Sequence, residues 1–275
     1  MRPAGGVPAG GPPASGLPAG RQEPGSHPVE PPPFRRRPAQ GAAVAVNRPD
    51  PVPAVLESQS RLRALLGGLT DADVRAPSAL PGWTRGHLLS HVEGVGFALA
   101  RQARYALKDE LIDPYDGGRP ARDAAIEAGH GRPAAELRAA VTAALDEAEQ
   151  AWTAVGPRDL ERPVRYRDAT LSAAALAWWR ELEIHTADAA IGYRTAQWSR
   201  PFCAHVLDFL APRVPDGVRL TLAASDGPEA LVLGDGEPVT VGGALTDLTA
   251  WLAGREPLGP LDSGVAPLPE LGPWP

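Results

Sequence analysis

The stretch 171–193, LSAAALAWWRELEIHTADAAIGY, decides both the fold of this chain and the place of its chemistry. Residues three and four apart share one face of a helix. At that spacing the stretch presents one stripe, made of Leu171, Ala174, Trp178, Glu181, His185, Asp188 and Gly192. The first half of the stripe is apolar, as packing requires. The second half places two carboxylates and an imidazole where leucine or valine would be expected.

A metal ion would explain these inward polar groups. Burying each of them without a partner costs about 1–3 kcal/mol, and far more for an isolated ion. Glu181 and His185 are four residues apart, so their side chains project from one face toward one point. The alternative is that Glu181 and His185 form a solvated pair, or a buried pair that holds no metal. The stripe makes Glu181 and His185 candidate metal ligands, and the metal-free alternative stays open at this point.

A third ligand is available on the helix predicted for residues 84–107, for which Thr84 is a candidate N-cap. His91 lies beside the apolar stripe of that helix, whereas His87 lies one turn nearer its start. Two histidines and one glutamate around an open position form a catalytic zinc site rather than a closed structural one. The open position would take water or a thiolate, whose pKa zinc lowers.

Composition excludes several classes of protein. The 275 residues carry a net charge of −6, which argues against a nucleic-acid-binding protein. A single cysteine, Cys203, excludes an intramolecular disulfide framework and a zinc site built on several thiolates. No apolar run approaches the length of a membrane span, and no secretory signal is visible. We therefore expect a cytoplasmic protein with no membrane partner.

The chain divides by pattern into four expected segments. These are a disordered Pro/Gly/Ala-rich tail (1–52), a helical bundle (53–198), a small α+β domain (199–257) and an irregular Pro-rich tail (258–275). Helices are predicted at 54–69, 84–107, 119–128, 133–155, 171–193 and 244–254. Strands are predicted at 217–224, 230–234 and 238–241. The fold class is therefore a mixed one, a four-helix bundle followed by a small α+β domain.

Several stretches resemble the mycothiol-dependent maleylpyruvate isomerases. Residues 80–92 (LPGWTRGHLLSHV) look like the signature stretch of that family. The resemblance continues, in the family's order and spacing, at Tyr115, 119–129 (RPARDAAIEAG), 180–188 (RELEIHTAD), 239–243 (VTVGG) and 251–255 (WLAGR). It covers roughly residues 54–256. The Pro-Gly-Trp-Thr segment alone would mark only the wider DinB-like superfamily, whereas the 119–129 run is more specific to the isomerases.

The resemblance implies a DinB-like four-helix bundle followed by a domain similar to sterol-carrier folds. It implies a divalent metal, usually zinc, on His91, Glu181 and His185, the trio that the stripe favours. His87 matches a position that is not a ligand in the family. Arg255 matches a functionally important arginine, although Ala253 stands where relatives commonly have threonine.

The resemblance also implies a reaction, the isomerisation of maleylpyruvate to fumarylpyruvate. Zinc would hold the thiol of mycothiol as a thiolate, which adds to the cis double bond. Rotation about the resulting single bond and loss of the thiol would give the trans product. The substrate is a small dicarboxylate, and Arg255 is expected to bind one carboxylate. Asp188 is either a support for His185 or a polar helix-end residue.

Three alternatives are also compatible with the sequence. A paralogue with the same metal site could transfer mycothiol to other electrophiles. A DinB-like protein could also be a non-catalytic metal-binding module. Finally, Glu181 and His185 could form a buried pair in a purely structural bundle, which predicts no stoichiometric zinc.

Overall fold

The described chain runs from a set of long helices to a small sheet. The structure is a computed structural model, and it describes residues 50–264 and 267–275. Its helices are α1 (Val52–Leu66), α2 (Asp71–Arg75), α3 (Arg85–Ala106), α4 (Gly118–Gly129), α5 (Ala134–Thr153), α6 (Leu171–Asp188), α7 (Arg200–Phe209) and α8 (Leu245–Leu252). Its strands are β1 (Pro163–Val164), β2 (Ala169–Thr170), β3 (Val218–Ala224), β4 (Ala230–Gly234) and β5 (Glu237–Gly243).

The four long helices pack as a bundle, in which α1 and α3 each lie against both α5 and α6. Their shared core includes the fully buried Trp152 and Trp178. The indole Nε1 of Trp178 donates to Oε1 of Gln59 (3.1 Å), and Nε2 of Gln59 donates to the Leu145 carbonyl (3.1 Å). The buried amide is therefore satisfied, and it joins α1, α5 and α6. The predicted helical bundle is confirmed.

A second buried group, Glu183 of α6, connects α6 to α1. Its carboxylate accepts hydrogen bonds from Ser58 Oγ (2.5 Å), from Arg61 and from the Tyr193 hydroxyl. Glu183 is 4% exposed, so a charge that would be costly alone is compensated here by three donors. Because Glu183 lies two residues after Glu181, the two carboxylates point to opposite sides of α6.

Helix α1 begins earlier than the sequence predicts. Its first residue, Val52, lies inside the segment 1–52 that was expected to be disordered. The Asp50 carboxylate accepts a hydrogen bond from the Val52 N–H (2.9 Å), and the Val52 side chain is buried. The prediction of disorder was therefore wrong for Val52. Residues 1–49 of that predicted tail lie outside the described residues.

Helix α6 ends at Asp188, five residues before the end that periodicity predicts. The Nε of Arg85, on α3, donates to the Ala189 carbonyl (2.7 Å) and so satisfies a carbonyl at the helix end. Ala190 then adopts φ +52°, a left-handed conformation that turns the chain out of the helix. Gly192, the last member of the predicted stripe, consequently lies outside α6.

Strands β3, β4 and β5 form a sheet in the order β4-β3-β5, with β3 antiparallel to β4 and parallel to β5. The alternate residues Leu220 and Leu222 of β3 are buried, as is Val241, which lies opposite Leu222 on β5. Helix α8 packs on β3 and β5, and α7 packs on α8. The predicted α+β module is confirmed, with a longer β5 than the predicted 238–241.

The last described residues pack back onto the preceding module. The Gly272 N–H donates to the Arg213 carbonyl (2.7 Å), and the Nε of Arg213 donates to the Gly272 carbonyl (2.8 Å). The Trp274 ring lies 5.4 Å from Cζ of Arg255. The predicted domain boundaries at residues 198 and 257 stay predictions. No helix in the described ranges is long and apolar enough to cross a membrane.

Candidate metal centre

The start of α3 is fixed by a reciprocal cap, which sets the position of the candidate site. The Thr84 side chain accepts from the His87 N–H (3.3 Å), and the Thr84 N–H donates to His87 Nδ1 (3.1 Å). The prediction of Thr84 as N-cap is confirmed, with His87 in place of the usual Glu or Gln. His91 follows one turn later, 5% exposed, on the face of α3 that meets α6.

The structure brings the three predicted ligands together. His91 Nε2 lies 2.9 Å from Glu181 Oε2, and His185 Nε2 lies 3.2 Å from the same oxygen. One ligand atom from each residue lies within 4.8 Å of the others. The rings of His91 and His185 meet at 89°, with their centroids 4.8 Å apart. One oxygen and two nitrogens from α3 and α6 therefore converge on one point.

Behind His185 lies a second carboxylate, Asp188, which is 1% exposed. Its Oδ2 is 3.0 Å from His185 Nδ1. Arg255, from the segment after α8, donates to Asp188 Oδ1 through Nε (3.1 Å) and to Oδ2 through Nη2 (2.7 Å). Its Nη1 donates to the Ala253 carbonyl (2.7 Å). Each guanidinium nitrogen of Arg255 thus already has an oxygen partner within the protein. That Arg255 binds a substrate carboxylate stays a prediction.

The electrostatics of the cluster follow from burial and from these hydrogen bonds. Burial lowers the pKa of His91, and its bond to Glu181 only partly offsets this. Burial acts to raise the pKa of Glu181, but hydrogen bonds from His185 and His91 hold it well below its ordinary value. Burial also opposes charge on His185, yet Asp188 and Glu181 raise its pKa to about 9. The raised pKa favours the protonated form of His185 between its two carboxylate neighbours.

A second group of metal-capable side chains, which the sequence analysis did not find, lies one turn before His91. His87, Glu127 and His130 offer ligand atoms within 4.8 Å, and the two imidazoles stack with centroids 3.7 Å apart. However, Nδ1 of His87 accepts from the Thr84 N–H, so the ring proton of neutral His87 lies on Nε2, the atom nearest Glu127. A metal on Nε2 would need that proton removed. The cap of α3 therefore competes with a metal at this second group.

Arg122, on α4, lies beside the ring of His91 and was not singled out from the sequence. Its Nη2 is 3.3 Å from His91 Nδ1, while the Trp83 ring contacts His91 edge-on with centroids 5.7 Å apart. Helix α4 reaches this position because Gly129 lies close to α3, where an added Cβ would stand 2.8 Å from Ser90 Oγ. The resembling stretch 119–129 is the signal that pointed to this helix.

The residues present fit a divalent metal. Two imidazoles and one carboxylate match the donors that zinc takes in catalytic sites, where three protein ligands leave a position for a further ligand. A carboxylate on the far nitrogen of a ligating histidine fixes its ring and its tautomer, and Asp188 stands at that place behind His185.

Comparison with known proteins agrees with the fold. Residues 55–190 match the family model of the mycothiol maleylpyruvate isomerase N-terminal domain, and residues 197–271 match that of the C-terminal domain (MDMPI). Among curated proteins, none matches the chain.

Two solved structures share the fold. One is a crystal structure of the mycothiol-dependent maleylpyruvate isomerase, and the other is a histidine-to-alanine mutant of that isomerase. Each has a TM-score of 0.72 and 21% sequence identity, with 82% of this chain and 95% of the other covered. Because the two family models together span most of the chain, it belongs to the mycothiol-dependent maleylpyruvate isomerase family of enzymes.

Proposed function

We propose that this enzyme converts maleylpyruvate to fumarylpyruvate, with mycothiol as its thiol cofactor and with zinc on His91, Glu181 and His185. The observation that carries the proposal is the convergence of three ligand atoms from two helices within 4.8 Å of one another. The expected partners are thus a small dicarboxylate and a low-molecular-weight thiol. Membership of the isomerase family supports the choice of both.

The contacts of the side chains indicate which role each of them would have. His91, Glu181 and His185 would hold the metal through the atoms that already face one another. A zinc ion held there would lower the pKa of a thiol that binds to it, so that the thiol is available as a nucleophilic thiolate at neutral pH. The Trp83 ring contacts the His91 ring edge-on, with centroids 5.7 Å apart.

We propose that Arg255 is a positioning residue in this site. Its two hydrogen bonds hold Asp188, and Asp188 in turn fixes the ring of His185. Asp188 is held in its charged form, because burial acts to raise its pKa but hydrogen bonds from His185 and Arg255 lower it. Arg255 would therefore act on the metal ligand His185 through Asp188.

The test is an assay of the purified full chain, loaded with zinc, by NMR of maleylpyruvate with and without mycothiol. We expect about one zinc per chain and turnover only when both zinc and mycothiol are present. His91→Ala and Glu181→Gln should lose zinc and turnover together. His130→Ala, in the second group, serves as the matched control and should retain both.

The alternatives predict different results. A folded, zinc-loaded chain that leaves maleylpyruvate unchanged but couples mycothiol to a fluorogenic alkylating agent would be a mycothiol S-transferase. A chain that binds zinc and does neither would be a non-catalytic metal-binding module. A chain that takes up no zinc would contain only a buried Glu–His cluster, and the proposed function would be wrong.

A further inference from the structure

The guanidinium of Arg122 lies beside the candidate metal centre, and its nitrogens have few hydrogen-bond acceptors. Its Nη2 makes one long hydrogen bond, 3.3 Å, to His91 Nδ1. Its Nη1 forms a long ion pair with the Asp123 carboxylate (3.7 Å), beyond hydrogen-bonding distance. Its Nε is buried and has no hydrogen-bond partner in the described part of the chain. A buried donor without an acceptor costs free energy, which a ligand supplying the acceptor would recover.

The bond between Arg122 and His91 is not compatible with a metal on His91. Because Arg122 donates to Nδ1, neutral His91 carries its proton on Nε2, where it faces Glu181. A metal on Nε2 requires the other neutral tautomer, with the proton on Nδ1. Two donors would then face each other, and the contact with Arg122 could not persist. With a metal on His91, both Nε and Nη2 of Arg122 would lack an acceptor.

These two nitrogens form the edge of a guanidinium that matches a carboxylate. Parallel N–H groups on one edge bind both carboxylate oxygens in a planar fork. The protein itself shows this geometry once, since Arg255 uses the same two atoms, Nε and Nη2, to hold Asp188. Arg122 is 25% exposed at its side chain, so a small molecule can reach it.

The other arginines near the centre are already engaged. Arg255 donates to Asp188 and to the Ala253 carbonyl, as described above. Arg180, the neighbour of Glu181, contacts His205 Nε2 (2.9 Å) and lies 3.6 Å above the centre of the Phe209 ring. Arg122 is therefore the arginine beside these ligands that combines a buried, unpartnered Nε with access from outside.

We propose that Arg122 is the carboxylate-binding residue of this site, and that it grips one carboxylate of a small dicarboxylate through Nε and Nη2 once metal occupies the neighbouring centre. This inference rests on the proposed function for the identity of the ligand as a dicarboxylate. It gives the site two anchors, a metal on α3 and α6 and a guanidinium on α4. Loading with metal prepares the second anchor by releasing Arg122 from His91.

The test is calorimetric titration of the zinc-loaded full chain with maleate, a non-isomerising cis-dicarboxylate, in the absence of thiol. Arg122→Gln should weaken maleate binding by about tenfold or more, the loss expected for a hydrogen-bonded charge pair. Arg122→Lys should also weaken it, because an ammonium group cannot form the planar fork. Arg119→Gln removes the same charge from an exposed position of the same helix and is expected to change binding less than about twofold.

The results separate this inference from the proposed function. Zinc content should be unchanged in both Arg122 variants, so that lost binding is not lost metal. Unchanged maleate affinity in both variants would overturn the inference even if the chain isomerises maleylpyruvate. Weakened binding in both Arg122 variants, but not in Arg119→Gln, would support it even if no isomerisation is found. Failure of the zinc-loaded wild-type chain to bind maleate would also overturn it.

Discussion

The guanidinium of Arg255 holds the carboxylate of Asp188 at two points, with distances of 3.1 Å and 2.7 Å. The two residues are 67 positions apart, one at the end of α6 and the other after α8. Asp188 is 1% exposed and also contacts His185. The C-terminal module therefore contributes to the site by fixing the orientation of a residue on α6.

Replacing Asp188 should weaken metal binding. Asp188→Asn keeps the volume but loses the charge that fixes the His185 tautomer, so we expect zinc affinity to fall by about 10–100-fold. Competition with a chromogenic chelator measures the zinc affinity. Glu127→Gln, which removes a carboxylate from the group around His87, should leave zinc affinity unchanged. Equal affinities in wild type and Asp188→Asn would contradict the role of Asp188.

Arg255→Lys should lower zinc affinity in the same direction, because one ammonium group cannot hold both oxygens of Asp188. The double variant with Asp188→Asn should lose much less than the sum of the two single losses, since both act through one contact. If Arg255 instead bound the substrate directly, Arg255→Lys would raise KM for maleylpyruvate and leave zinc affinity unaltered. The two readouts distinguish a positioning residue from a substrate ligand.

Zinc binding should strengthen as pH rises toward about 9, the raised pKa of His185. Zinc must displace the proton that His185 holds in the metal-free protein. The stability of the metal-free chain changes with pH in the opposite direction. A raised pKa stabilises the metal-free fold fully below about pH 6.5, and this contribution is lost as pH rises through about 9.

Asp188→Asn should make the rise in zinc affinity level off at a lower pH, because Asp188 helps to raise the pKa of His185. Chelator competition across neutral and alkaline pH measures the zinc affinity, and urea unfolding of the metal-free chain measures stability. A zinc affinity that does not depend on pH in this range would contradict a protonated His185.

The two glutamates of α6 should separate stability from metal binding. Glu183→Gln breaks the buried contacts with Ser58, Arg61 and Tyr193. Because Arg61 is 30% exposed, we expect a loss of about 2–3 kcal/mol rather than the full cost for a buried pair. The folded fraction should still bind zinc. Glu181→Gln should abolish zinc binding. Urea unfolding measures the stability of both variants, and zinc analysis measures their metal content. Loss of zinc in Glu183→Gln but not in Glu181→Gln would contradict these roles.

Two glycines of α3 form a matched pair for the contact between α3 and α4. An added Cβ on Gly86 would overlap the carbonyl oxygen of His130, whereas one on Gly94 would meet nothing within 4 Å. Gly86→Ala should therefore destabilise the chain by about 1–3 kcal/mol. Gly94→Ala should stabilise it by about 0.5–1 kcal/mol, the gain in helix propensity. Equal unfolding midpoints for the two variants would contradict the close packing.

Local patterns in the sequence were sufficient to find the four long helices of the bundle and the trio of candidate ligands. Thr84 was recognisable as a cap, and the i, i+4 spacing of Glu181 and His185 placed both on one face. His91 followed because it borders the apolar stripe of α3. Each of these inferences needed only residues within one helix, together with the rule that polar groups on a packed face require partners.

The parts that sequence analysis missed depend on contacts between distant segments. The end of α6 is set by Arg85 of α3, which no periodicity within α6 reveals. Arg122 meets His91 only because α4 folds back along α3 at Gly129. Helix α2 and the pair β1–β2 have five and two residues per element, too few for a periodic pattern.

Helix α6 is fastened on two opposite sides, by Glu183 toward α1 and by Glu181 toward α3. Inserting or deleting one residue between Trp178 and Glu181 would turn everything beyond it by about 100° relative to the start of the helix. Both carboxylates would then leave their partners in the same event. Insertions and deletions in this turn should therefore be tolerated far less than in the loop between α3 and α4. In a library of random insertions and deletions, folded variants with a length change between Trp178 and Glu181 should be absent.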